Sequence, residues 1–167
     1  MTHIQLNGVT ELLLMTLLGA ALGLAGALYN RTVLLFLWAT DRIPRVPPEL
    51  IAAVIGMIVA TVGWFNLHWI GSGEIQVQSI LNGNTSLGGL VTLFAIRWLL
   101  GPLSYAASTP GGLFAPLLLL GASGGALFAW MCDSLVPGQS AAAFAMVGMA
   151  ALFAGVVRAP LTGIDRK

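Results

Sequence analysis

Apolar residues form long runs along this chain, separated by short clusters of charge, proline and glycine. The first run goes from Leu12 to about Tyr29 and continues past Asn30 and Arg31, through Val33, to Thr40. Asn30 and Arg31 are then expected inside one long tilted helix or at an interface. A run of about 20 apolar residues can span a hydrocarbon core ~30 Å thick. Asp41 to Glu49, with Asp41, Arg42, Pro44, Arg45, Pro47 and Pro48, reads as an aqueous loop. A second span is expected from Leu50 to about Ile70, with Trp64 and Trp69 near its end as interface anchors. Gly71-Ser72-Gly73-Glu74 is a breaker, a short amphipathic stretch reaches Leu81, and Asn82-Gly83-Asn84 is a turn.

A third span is expected from about Leu87 to Tyr105, with Arg97 inside it, and a fourth from Leu113 to about Met131. Asp133 to Gln139 is a polar turn, and Ser140 is placed to cap a last helix running through Val157. Arg158, Ala159 and Pro160 interrupt that last run. The pattern predicts an all-α, polytopic membrane protein with about five long apolar segments and one or two short ones. The segment 74–81 is too short to cross a bilayer and needs protein packed around it.

Composition strengthens this picture. The chain is 57% hydrophobic and 8% charged, where a soluble domain carries about 25% charged residues. Such a surface suits lipid, and 21 glycines suit helices that approach closely. A net charge of +1, with no basic cluster, gives no reason to expect nucleic acid as a partner. The single cysteine, Cys132, excludes an internal disulfide and a cysteine-rich metal site, and no cofactor is expected. Glu11 near the start, and no early basic run, argue against a cleaved signal peptide.

The segment with most chemical content is Ser108 to Pro116. Pro110 lacks an amide hydrogen and restricts Thr109 to extended shapes. Gly111 and Gly112 permit close backbone approach. A strongly apolar helix then begins, and its first turn exposes unpaired amide donors and the positive end of the helix dipole. Pro116 falls in that first turn, where a missing donor costs little. The unit can therefore hold an anion without any basic side chain. The plainer reading is a helix start at a membrane interface, with the glycines only shaping a loop.

GGLFAP at Gly111 to Pro116 resembles the GxFxP chloride-binding motif of the chloride channel and transporter (ClC) family. The likeness extends to Gly121, Gly124 and Gly125 in the following helix and to AMVGMAALFAGVVRAPLTGI at Ala145 to Ile164. It also takes in LGAALGLAGALYNR in the first run and GSGEIQVQSILNGN at Gly71 to Asn84. The resemblance implies a ClC-type inverted-repeat fold with broken and re-entrant helices, of which residues 1–167 match the second repeat. It implies chloride as the transported ligand, bound by the backbone amides of Leu113 and Phe114. Thr109, Pro110, Gly111, Gly112, Ala115 and Pro116 would shape the site. It further implies a homodimer with a pore in each subunit, multi-pass in a lipid bilayer, expected to be the bacterial inner membrane.

The family's pore serine, gating glutamate and late pore tyrosine have no counterpart here. The chain is therefore expected to be a partial transmembrane domain, truncated before the last helices. The alternative to an anion transporter is a non-conducting fragment that needs the missing half.

Other residues carry weaker signals. Arg97, a charge within an apolar run, is a functional candidate, but snorkelling toward an interface near Trp98 is the simpler expectation. Arg158 is expected to cap carbonyls or reach the interface, with a pore role as the sharper alternative. Glu74 is expected to begin a short helix, where a carboxylate suits the dipole, with proton transfer as the sharper alternative. His68 reads as interfacial, with no partner at metal spacing. Gly121-Ala122-Ser123-Gly124 resembles the GxSG string of rhomboid-type proteases, whose histidine base follows the serine. Here His3 and His68 both precede Ser123. Helix packing through small residues is the expected role, and no enzyme is expected.

Overall fold

A computed structural model describes residues 9–42, 47–107, 114–133 and 140–158, without the side chains of His68 and Arg158. Among the described residues the chain forms six α-helices, one short 3-10 turn and no strand. The helices are α1 (Val9–Asp41), α2 (Pro48–Phe65), α3 (Glu74–Leu81), α4 (Leu87–Ala106), α5 (Phe114–Asp133) and α6 (Ala141–Arg158). α1, α2, α4 and α5 are long and apolar enough to cross a membrane, and Ala141–Val157 of α6 is a shorter apolar stretch.

α1 is continuous through Asn30 and Arg31 and has 33 residues. Its buried positions, Glu11, Leu18, Leu22, Gly26, Tyr29 and Val33, recur every three, four or seven residues and so share one face. The rest of its surface exposes Leu13, Leu17, Leu24, Leu28, Leu34 and Leu35, as a lipid-facing helix does. Hydroxyls on the spans return to the backbone: Thr16 donates to the Leu12 carbonyl at 2.8 Å and Thr32 to that of Leu28 at 3.0 Å. In hydrocarbon no water would take those protons.

Two boundaries differ from the sequence reading. The loop expected up to Glu49 is shorter, because Pro47 caps α2 and Pro48 occupies its first turn. Proline fits there, since its missing donor would have no helical partner anyway. α2 also stops at Phe65 instead of running to Ile70. Asn66 turns extended (φ −158°, ψ 109°), and Leu67–Trp69 makes a 3-10 turn. The chain then folds back so that Ile70 packs on Gly63.

Ser86 caps α4, its hydroxyl accepting from the Gly89 amide at 3.3 Å. Ser140 caps α6 as expected: its hydroxyl accepts from the Ala143 amide at 3.4 Å, and its carbonyl from Ala143 and Phe144.

The core lies where α1, α5 and α6 meet, around Leu18, Leu22, Tyr29, Leu117, Leu120, Phe144 and Leu152. A second cluster joins α3, α4 and α5 through Ile80, Leu90, Leu119, Ala122 and Ala126. Lipid is as apolar as leucine, so contact here comes from close packing and not from expelling water. Glycine supplies that closeness. A methyl on Gly121 would sit 2.6 Å from the Gly148 carbonyl oxygen, and one on Gly155 would sit 2.6 Å from that of Gly23. α6 thus runs antiparallel to α5 and to α1, with backbone on backbone at both seams. Tyr29 closes the α1–α4 side, its ring edge-on to Trp98 at 5.4 Å and its hydroxyl against Gly101.

Candidate functional site

α5 is the most enclosed of the spanning helices, with 56% of its apolar window buried against 11% for α2. An unbroken set from Leu119 to Ala126 is buried in the α4, α6 and α3 interfaces. The helix therefore presents its amino end as the terminus of a fixed rod.

That end begins at Phe114. The amides of Phe114 and Ala115 have no acceptor within the helix, because the first donors of any α-helix lack a carbonyl one turn back. Pro116, the third helical residue, contributes no donor. The first turn carries no acidic residue to oppose an anion. It presents the positive end of the helix dipole, equivalent to about half a charge. The Phe114 side chain is 59% exposed, and its ring stands edge-on to Phe153 of α6 at 5.2 Å. Ala115 and Pro116 are half-buried. Ser108, Thr109, Pro110, Gly111, Gly112 and Leu113 lie outside the described residues.

The other candidates resolve as follows. Glu74 begins α3 as expected and is exposed. Ser123 is fully buried and donates to the carbonyls of Leu119 at 2.9 Å and Leu120 at 3.1 Å. Its proton is thus held by its own helix, and the small residues around it serve packing. The side chains of His68 and Arg158 lie outside the described residues. Arg97 reaches the loop ahead of α3. It is 7% exposed, and its Nη2 donates to the Gly71 carbonyl. That carbonyl belongs to an exposed loop residue, so the side chain leaves the apolar run of α4 for a polar backbone partner.

A cavity of about 270 Å³ lies at the opposite end of α5, bordered by Ile80, Thr85, Leu90, Ala126, Trp130 and Asp133. Ala126 is roughly 18 Å along the helix from Phe114, so this space is separate from the amino end. It adjoins the carbonyl end of the dipole and a carboxylate, which disfavours an anion.

The whole chain compares with a known family. Residues 2–164 match the family model described as "Voltage gated chloride channel". The chain belongs to that family. It is 32% identical to the H(+)/Cl(-) exchange transporter ClcA of Vibrio campbellii, over 98% of this chain and 36% of that protein. The ClcA of Vibrio parahaemolyticus gives the same figures. The ClcA of Yersinia pestis is 38% identical over 69% of this chain and 24% of its own length. The chain therefore spans about a third of the length of the curated relatives it matches most fully.

Sequence reasoning missed two features of the ClC chain around α5. One is the backing of its first residue by Phe153, for which a lone phenylalanine in an apolar run gives no signal. The other is the loop 71–73 that Arg97 holds. Its glycines read only as a breaker, although a charge in an apolar run was a pointer to a polar partner.

Proposed function

We propose that this chain forms one wall of a chloride path in a ClC-type anion transporter. The amides of Leu113 and Phe114 are the chloride donors, and Thr109, Pro110, Gly111, Gly112, Ala115 and Pro116 shape the turn that aims them. The observation that carries this reading is the start of an enclosed apolar helix at Phe114, whose first amides have no acceptor within the helix itself. Chloride would shed part of its hydration and take backbone donors in exchange. Donors that are dipoles, not full charges, hold the ion loosely enough to release it. The relatives' names as H(+)/Cl(-) exchange transporters support chloride as the ion. The reading extends to a homodimer in the bacterial inner membrane.

Isothermal titration of chloride into the chain in lipid nanodiscs tests the site. Binding that Phe114→Pro weakens roughly tenfold or more supports it. Equal affinity in both proteins sinks it.

A second reading is that the chain conducts only together with the rest of a transporter. It is favoured by the third of the relatives' length that the chain spans. Chloride efflux from vesicles holding this chain alone would overturn the second reading.

A further inference from the structure

Arg97 is the sole charged residue of α4 and is 7% exposed. Its Nη2 donates to the Gly71 carbonyl, while its Nε, equally shut off from solvent, meets no acceptor. A buried cation with an unmet donor is a costly way to fill space that an apolar side chain would fill more cheaply. What the bond holds gives it a purpose. Gly71 lies in the loop ahead of α3, and Gly73 caps that helix at φ 92°. Gly73 rests directly on Leu119 of α5: a methyl there would come within 2.9 Å of the leucine Cδ2. Leu119 is fully buried. It lies five residues after Phe114, about 7.5 Å along the helix axis. The neighbouring Ile70 is seated on Gly63 of α2, so the loop is gripped on both sides.

We infer that Arg97 is a positioning residue for the amino end of α5. It ties the 71–73 loop to α4, the loop seats Leu119, and Leu119 sets the height and lean of the helix that starts at Phe114. This rests on the reading of that end as the chloride donor. Arg97 itself touches no ion in this scheme: its Nη2 is engaged by the Gly71 carbonyl and its Nε is shut off from solvent.

The test uses the full chain in nanodiscs, with two readouts. Hydrogen exchange at the Leu118 and Leu119 amides, which bond back to the first turn of α5, reports the tether, and titration with sodium chloride reports the site. Arg97→Met and Leu119→Ala should each speed that exchange and weaken chloride binding by roughly tenfold to a hundredfold. The double variant should be little worse than either single one, because both cut the same tether. Arg97→Lys, which keeps one donor, should restore most of both signals. If Arg97→Met does not fold, Leu119→Ala carries the test alone, and unchanged exchange in it overturns the proposal.

If Arg97 acted by drawing anions through its charge, its loss would add to that of Leu119→Ala and fade at high salt. That result, or unchanged exchange in Arg97→Met, overturns the proposal. Faster exchange in a chain whose unaltered form binds no chloride upholds the tether and discards the chloride reading.

Discussion

The ring of Phe114 meets the ring of Phe153 edge-on, with centroids 5.2 Å apart and planes at 83°. The first residue of α5 is thereby attached to α6 by its side chain, which leaves its amide free of any role in that contact. Such aromatic pairs contribute about 0.5–1.5 kcal/mol beyond the area they bury. Phe153→Leu keeps the bulk and loses the ring. It should lower stability by about 1 kcal/mol, read as an earlier transition in denaturant titration, and should speed hydrogen exchange at Leu118, whose amide bonds to the Phe114 carbonyl.

Backbone and side-chain roles at Phe114 separate cleanly. Phe114→Ala removes the ring and keeps the amide, so chloride affinity should change by less than about threefold. Phe114→Pro keeps a residue welcome in the first turn and removes the amide, so affinity should fall roughly tenfold or more. Titration calorimetry on the two variants, side by side, checks the contrast. A larger loss in Phe114→Ala would place the donor elsewhere.

The glycine seams predict a graded series. A side chain on Gly125 would run into the Phe144 carbonyl, whereas one on Gly19 would meet nothing within 4 Å. Gly125→Val should cost about 3 kcal/mol or more through overpacking. Gly19→Ala should be neutral or stabilise by up to about 1 kcal/mol through helix propensity. Thermal transition temperatures in detergent would show the order.

Gly73 and Gly83 both hold positive φ, 92° and 71°, but only Gly73 is crowded, by Leu119. Gly83→Ala should cost about 1–2 kcal/mol, the backbone term alone. Gly73→Ala should cost clearly more, since Leu119 must also move. Equal losses in the two variants would mean that Leu119 yields freely.

Much of this fold was legible because hydropathy in a membrane is a blunt and reliable signal. The runs around Leu12–Thr40, Leu87–Tyr105 and Leu113–Met131 mark α1, α4 and α5 within a few residues. Serine caps at Ser140 and the acidic start at Glu74 were readable for the same local reason. The end of α2 was not. Leu67, Trp69 and Ile70 are as apolar as the helix before them, and only the packing of Ile70 on Gly63 reveals the turn back. The partner of Arg97 was not legible because it is a backbone carbonyl in a distant loop, and sequence shows side chains better than carbonyls. At the site, Phe114 and Pro116 stand in the first turn of α5 as the motif implied. The order of backing residues, with Phe153 behind Phe114 and Gly73 on Leu119, depends on antiparallel and loop contacts that no local pattern encodes.

α1 has 33 residues and is about 50 Å long. That exceeds a hydrocarbon layer ~30 Å thick, so the helix must lean or push its ends among the headgroups. At its carboxyl end Arg42 sits 3.8 Å over the Trp38 ring, a pair suited to the headgroup layer. The buried stripe of α1 lies on α6, and α6 lies on α5. A thinner membrane therefore requires a greater lean of the long helix, and its close backbone seam with α6 ties the tilt of one to that of the other.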